Sequence, residues 1–248
     1  MNLTLLVKTY HGNQLRQIDE LLQSQFDDLD VEMKLLGNST GKWVQVSVVG
    51  EDENVAAAYI QKKIGTCPVN LKDIEEDAIL KGYINHIDDD KLIVDVGIFE
   101  PKVVQAVVPL SRLQSQLADG REVALKKIAQ TYALAEGVPV SIKVVAKATE
   151  GLQAEFSVEQ SGRLCSWQQS LLDRLIVLRV SNELVTSTLE RTRLDRDVVE
   201  VEALGLFEHA LTCKLGTDAT GLIPRVGRYM RYAGFVVFNA RKGYEFLE

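Results

Sequence analysis

The chain has 248 residues, of which 46% are apolar and 25% charged, and its net charge is −7. This composition is typical of a globular domain and excludes a collagen-like or disordered chain. No apolar run approaches the ~18 residues of a membrane helix, and the N-terminus lacks the basic segment of a signal peptide. We therefore expect a cytoplasmic protein without a membrane partner.

The charge is distributed unevenly along the chain. Residues 1–76 carry a net charge of −5 and residues 77–160 one of −3, whereas residues 161–248 carry +1 and hold 10 of the 13 arginines. Arginine suits bidentate contacts with phosphate or carboxylate groups. A polyanion would therefore meet the C-terminal third, unless these arginines pair with neighbouring acids.

The N-terminal segment, 1–76, is predicted to follow the order strand, helix, strand, strand, helix, strand, which is the ferredoxin-like pattern. Apolar periodicity and turn residues predict the strands 3–8, 31–36, 43–48 and 69–74 and the helices 13–26 and 52–64. The strand at 69–74 would close the sheet. The fold class expected for the whole chain is α+β.

The middle segment, 77–160, is predicted to form a small five-stranded barrel with a helical insertion. Its expected strands are 79–84, 91–96, 103–108, 138–145 and 152–158, with an amphipathic helix over 121–136. The acidic run Asp88-Asp89-Asp90 lies between the first two strands. Because it lacks the spacing of a calcium-binding loop, we interpret it as a solvated turn.

Four pieces of this segment follow a recognisable order, namely Gly82-Tyr83-Ile84-Asn85-His86-Ile87, Val94-Asp95-Val96, Val107-Val108-Pro109-Leu110-Ser111-Arg112-Leu113 and Gly137-Val138-Pro139-Val140-Ser141-Ile142. Together they resemble the signature of S-one-type RNA-binding barrels, which are OB-folds. The resemblance implies a barrel that binds RNA by stacking bases on aromatic side chains of its second strand. Such stacking is worth ~1–3 kcal/mol per base, but this chain has Asp90 and Ile93 there, which leaves Tyr83 as the aromatic residue near that face.

The C-terminal segment, 161–248, is predicted to contain a linking helix over 161–173 and then a second ferredoxin-like unit. Its expected strands are 175–180, 198–203, 207–213 and 234–239, and its expected helices are 181–193 and 224–231. Pro224 is placed at the start of the second helix, where proline is favoured.

The order of elements over the whole chain, with the phrase from Leu204 to Ala219, resembles an uncharacterised archaeal family of unknown function. This resemblance implies a cytoplasmic archaeal protein and brings no activity with it.

The segment from Lys214 to Arg225 is the best candidate site. It contains the small residues Gly216, Thr217, Thr220 and Gly221. Small residues let a phosphate approach the backbone, and amides at a helix N-terminus favour anions. It is not a Walker loop, because no Gly-Lys-Ser/Thr follows the glycines. A helix start capped by Asp218 or Thr220, and an enzyme site for a phosphorylated small molecule, are the alternatives.

Basic residues continue beyond this segment. Arg225, Arg228 and Arg231 recur at three-residue steps, which predicts one side of a short helix, and Arg241 and Lys242 follow one strand later. With Lys214 they would form a basic stripe for a phosphate backbone. The interleaved aromatic residues, which suit stacking on unpaired bases unless they belong to the core, are Tyr229, Tyr232, Phe235 and Tyr244.

The sequence contains no pattern that indicates a metal site, a cofactor site or a catalytic pair. The three histidines lie in separate segments, and Cys67, Cys165 and Cys213 have no metal-ligand spacing. We expect no metal, no cofactor and free thiols in a reducing compartment.

These patterns favour a non-enzymatic factor that associates with RNA or a ribonucleoprotein, with phosphate bound by the C-terminal basic helix. The alternative is an adaptor whose acidic N-terminal and barrel surfaces bind a basic protein. A second alternative is an enzyme or binder of a phosphorylated small molecule at residues 214–225.

Overall fold

The computed structural model of the chain describes residues 1–26, 28–148 and 151–241. The chain divides into two compact units. One consists of Met1–Ile74 with Val96–Val104, and the other of Glu75–Asp95 with Gln105–Glu248. No helix among the described residues is long and apolar enough to cross a membrane.

The first unit begins with an antiparallel sheet and two helices. Its elements are β1 (Asn2–Lys8), α1 (Gly12–Gln25), β2 (Val31–Asn38), β3 (Trp43–Gly50) and α2 (Glu53–Lys63). The strands pair in the order β1-β3-β2. Ile18 and Leu22 on α1 are buried, as their helical spacing predicts, and Trp43 is fully buried in the core.

The prediction that residues 69–74 close this sheet is wrong. The chain lies beside β1 only around Thr66, which forms a single bridge to that strand. Pro68 has no N–H to continue the pairing. The short strand that follows, β4 (Val69–Asn70), pairs in parallel with β6 (Lys91–Glu100) instead.

Five strands close into a barrel, as the sequence predicts. They are β5 (Ile79–Ile87), β6, β7 (Val104–Pro109), β8 (Pro139–Ala148) and β9 (Gly151–Phe156). β5 pairs with β6 and with β8, and β8 pairs with β9, all antiparallel. β9 pairs in parallel with β7, and a pairing of β7 with β6 completes the ring.

The helical insertion of the barrel differs from the single helix predicted over 121–136. A first helix, α3 (Leu110–Leu117), follows β7 directly, and a second, α4 (Leu125–Thr131), is only seven residues long. Both bury leucines where they meet. Arg121 and Glu122 are exposed and lie outside either helix, because no apolar partner draws them onto the barrel.

A helix leads from the barrel into a second antiparallel sheet. The elements are α5 (Val158–Gln169), β10 (Arg174–Leu178), α6 (Asn182–Thr192), β11 (Val198–Ala203), β12 (Glu208–Cys213), α7 (Ala219–Val226) and β13 (Gly234–Phe238). The sheet order is β11-β12-β10-β13. The predicted element order of this segment is therefore confirmed. Residues Leu175, Val177 and Leu211 form a core with α6 and α7 on one face of the sheet.

The other face of this sheet packs on α5 through a buried cation. Arg174 is 7% exposed, and its guanidinium carbon lies 5.0 Å from the Trp167 ring and 5.9 Å from the Phe238 ring. One guanidinium nitrogen donates to the carbonyls of Trp167 and Leu172 and to the Ser170 hydroxyl, at 2.9–3.2 Å. Arg174 thus satisfies one carbonyl at the end of α5 and one after the helix, while its charge faces two aromatic rings.

Replacing Arg174 by alanine is expected to lower the free energy of unfolding by about 2–4 kcal/mol, because buried acceptors lose their donor. The exposed Arg121→Ala variant serves as the matched control and is expected to change it by less than ~0.5 kcal/mol. Urea unfolding followed by circular dichroism measures both. Equal stabilities of the two variants would contradict the proposed role of Arg174.

Candidate nucleic-acid interface

The loop after β12 forms the start of α7 with its own capping group. Lys214 is exposed, and its carbonyl accepts the Thr217 N–H at 2.9 Å. Gly216 has a φ of +90°, which glycine adopts without strain. The Asp218 carboxylate accepts the Thr220 N–H at 2.9 Å. A carboxylate therefore occupies the N-terminus of α7, where it would repel a phosphate.

The prediction that the second helix starts at Pro224 and reaches Arg231 is wrong. The helix α7 begins at Ala219, because the Asp218 cap fixes its start, and Pro224 lies inside it. Proline cannot donate to the Thr220 carbonyl, and the helix ends at Val226 with the Gly227 N–H bonded to the Ile223 carbonyl. Arg228 and Arg231 lie beyond it in turns, so the three predicted arginines do not share one helix face.

Arg225 has a structural contact. Its guanidinium donates to the Thr192 carbonyl at the end of α6, at 2.7 Å, and lies 3.7 Å from the Asp197 carboxylate. It therefore ties the end of α7 to the end of α6, and its charge is already paired with an acid.

Lys214, Arg228 and Arg231 are exposed and form no ion pair within the described part of the chain. Two tyrosines lie in the same turn region, Tyr229 with 42% and Tyr232 with 71% of its surface exposed. We call these five residues the arginine surface. Cations without acidic partners beside exposed aromatic rings are the combination that single-stranded nucleic acids require.

The other predicted members of the basic stripe lie elsewhere or serve the core. Arg241 is exposed after β13, while Lys242 and Tyr244 lie outside the described residues. Phe235 is partly buried and packs against the core of the C-terminal sheet. It is therefore a core residue, as the alternative interpretation stated.

Tyr83, which the sequence predicts to contact RNA, is only 3% exposed, and this burial argues against a stacking contact through its ring. Its hydroxyl donates to the Glu208 carboxylate at 3.1 Å, which joins β5 of the barrel to β12. Gly205 leaves room for this pair, because a Cβ there would lie 2.4 Å from Glu208 Oε2. Burial raises the pKa of Glu208 to about 7, against the lowering effects of Tyr83 and Arg179.

Sequence reasoning singled out the later arginines and missed those at the end of α6. Arg191 lies over the Tyr229 ring at 5.3 Å, and both Arg193 and Arg196 are exposed. The sequence does show three arginines within the six residues 191–196. Their proximity to residues 225–232, however, depends on tertiary packing.

Within the described residues no group of three or more His, Cys, Asp or Glu side chains is placed to hold a metal ion. The arrangement on the C-terminal sheet is instead one of exposed cations and aromatic rings.

Three family models match the chain in order. They are described as the DUF2110 N-terminal domain over residues 2–70, the DUF2110 central domain over 74–168 and the DUF2110 C-terminal domain over 172–238. The chain belongs to the DUF2110 family. No curated protein matches this DUF2110 sequence.

Two solved structures are distantly similar to this DUF2110 chain. The intact alpha subunit of aIF2 from Pyrococcus abyssi has 10% sequence identity and a TM-score of 0.26, with 66% of this chain and 96% of that chain covered. A putative exosome complex RNA-binding protein has 13% identity and a TM-score of 0.25, with coverages of 70% and 97%. At this distance neither resemblance transfers a function.

The pKa of Glu208 generates a pH prediction. Because the folded-state pKa is about 7, against 4.5 for an ordinary carboxyl, stability is full below pH ~4.5 and falls as the pH rises towards 7. Glu208→Gln keeps the acceptor for Tyr83 without the charge. It is therefore expected to exceed the unmodified protein in stability at pH 8 by up to ~3 kcal/mol.

Urea unfolding between pH 5 and 8 measures this difference, which should shrink towards pH 5. If the free energies of unfolding of Glu208→Gln and of the unmodified protein changed with pH in parallel, Glu208 would not titrate in this range.

Gly221 offers a test of the loop itself. It lies exposed in the first turn of α7, and a Cβ there meets nothing within 4 Å. Gly221→Ala is therefore expected to raise the free energy of unfolding by about 0.5–1 kcal/mol. Calorimetry measures this gain. If the same variant abolished binding of inorganic phosphate or RNA, an anion would approach this backbone despite Asp218.

Proposed function

We propose that this DUF2110 protein is a non-enzymatic factor that associates with RNA or a ribonucleoprotein and binds single-stranded phosphate backbone on its arginine surface. The observation that carries the proposal is the pair Arg228 and Arg231. Both are exposed, and neither has an ion pair within the described residues. Arginines without acidic partners can bind phosphate groups without first breaking a salt bridge.

The tyrosines favour a single strand over a duplex. Tyr229 and Tyr232 are exposed in the same turn region as the two arginines, and Arg191 lies over one side of the Tyr229 ring. An unpaired base stacks on such a ring, whereas the bases of a duplex are already stacked on each other. Because the net charge of the whole chain is −7, binding must depend on the local cations. Each phosphate that they neutralise releases counterions, so the affinity falls as the salt concentration rises.

The competing proposals have less support. A phosphorylated small molecule at residues 214–225 would meet the Asp218 carboxylate at the start of α7. RNA on the barrel would lack Tyr83, which is buried against Glu208. A basic protein bound by the acidic N-terminal and barrel surfaces stays an alternative, supported by net charge alone.

The finer fold assignments belong to the same proposal. We propose domain boundaries at 76/77 and 160/161, and a cytoplasmic archaeal setting. We also propose an OB-type barrel between a ferredoxin-like C-terminal domain and an N-terminal domain of ferredoxin-like element order whose sheet has three strands. The strand pairings of the barrel, with β7 parallel to β9, support the OB-type assignment. The sheet order β11-β12-β10-β13 supports the ferredoxin-like assignment at the C-terminal end.

The test is fluorescence anisotropy of a labelled single-stranded RNA over a salt series. We expect micromolar binding at low salt that is lost in Arg228→Glu/Arg231→Glu. The logarithm of the affinity should fall with the logarithm of salt concentration by ~0.7 per phosphate contacted.

The matched control is Lys62→Glu/Lys63→Glu, which makes the same charge change on exposed residues at the end of α2. It should bind almost normally. Equal loss in both variants would indicate a general charge effect and contradict the assigned surface, and no binding at low salt would overturn the RNA proposal. A single-stranded DNA of the same sequence distinguishes RNA from nucleic acid in general.

A further inference from the structure

The end of α6 presents a second set of arginines, which we call the second arginine segment: Arg191, Arg193 and Arg196. All three are exposed. Within the described residues, Arg193 and Arg196 form no ion pair with an acid. Their charges are therefore available to an external anion.

Side-chain and backbone contacts hold this segment against the arginine surface. Arg225 donates to the Thr192 carbonyl at 2.7 Å, between Arg191 and Arg193. The guanidinium of Arg191 lies 5.3 Å from the Tyr229 ring. The Lys214 N–H donates to the Asp197 carbonyl at 2.7 Å. Three separate stretches of chain, at the end of α6, before α7 and after α7, therefore lie beside one another.

The backbone at Arg193 does not require an arginine. Arg193 ends α6 in the left-handed conformation, with φ 55° and ψ 33°, and its N–H bonds to the Leu189 and Glu190 carbonyls. Glycine is the residue that this position favours, and a side chain there adds backbone strain. The backbone conformation at Arg193 therefore does not select an arginine there, although a cation at a helix C-terminus interacts favourably with the helix dipole.

The surface keeps an excess of positive charge although acids are present. The cations of the three stretches are Arg191, Arg193, Arg196, Lys214, Arg225, Arg228 and Arg231, and the acids beside them are Glu190, Asp195, Asp197 and Asp218. Asp197 is paired with Arg225, and Asp218 caps α7. The seven cations outnumber the four acids, and this excess of positive charge attracts a polyanion.

We propose that the second arginine segment and the arginine surface form one continuous track that binds several consecutive phosphates of a single RNA strand. This inference rests on the proposed function. It adds that Arg193 and Arg196 contact phosphate, and that the bound strand crosses from the turn after α7 to the end of α6. A short strand confined to Arg228 and Arg231 would not need these contacts.

The test compares Arg193→Gly/Arg196→Gln with the unmodified protein in the same RNA titrations. Losing two phosphate contacts is expected to reduce the slope of log affinity against log salt by ~1.4 for a single strand. Affinity should fall several-fold at low salt. The melting temperature should be unchanged or higher, because glycine relieves the left-handed position.

The outcomes separate this inference from the proposed function. If Arg193→Gly/Arg196→Gln binds like the unmodified protein while Arg228→Glu/Arg231→Glu does not, the track is wrong and the arginine surface stands. If the unmodified protein does not bind, both proposals fail. Equal affinity for a duplex RNA of the same length would overturn the single-strand assignment.

Discussion

The packing of α5 on the C-terminal sheet depends on one buried arginine. Burying a cation costs several kcal/mol unless the surroundings replace its hydration. Within the described residues Arg174 has no carboxylate partner. It is held instead by the Trp167 carbonyl at the end of α5, by the Leu172 carbonyl after the helix and by the rings of Trp167 and Phe238. The end of a helix carries partial negative charge, so the Trp167 carbonyl stabilises a cation more than an isolated carbonyl would. Because β10 begins at Arg174, this contact also fixes where the sheet starts relative to α5.

A second polar contact in the same unit buries Tyr83, the aromatic residue that the sequence suggested for stacking on RNA. Tyr83 could serve for stacking only if its ring were exposed, but its hydroxyl is needed by Glu208. Burial raises the pKa of this carboxyl more than the hydrogen bonds from Tyr83 and the Phe207 backbone and the charge of Arg179 lower it. The absence of a side chain at Gly205 lets the hairpin between β11 and β12 close over this carboxyl. The ring of Tyr83 is thus used in packing between β5 and β12.

Local patterns in the sequence were enough to predict the elements that are stabilised locally. The barrel strands and the C-terminal order of elements follow from apolar alternation and helical spacing, and the structure has both. The predictions failed where contacts between residues far apart in the sequence determine the structure. The pairing of β4 with β6 could not be read from residues 69–74, and Tyr83 is buried by a carboxylate 125 positions further along the chain. The predicted helix start at Pro224 is wrong because proline is only favoured at a helix start, whereas the Asp218 side chain caps α7, which begins five residues earlier, at Ala219.

The candidate site shows the same division between local and distant information. The three-residue spacing of Arg225, Arg228 and Arg231 predicts a shared helix face. The helix ends at Val226, so Arg228 and Arg231 lie beyond it. The arginines at the end of α6 were missed, because only the contact from Arg225 to the Thr192 carbonyl brings them close. Keeping like charges together opposes folding, since the unfolded chain would separate them. Their clustering therefore does not stabilise the sheet, and a bound polyanion would remove the repulsion that the folded protein retains.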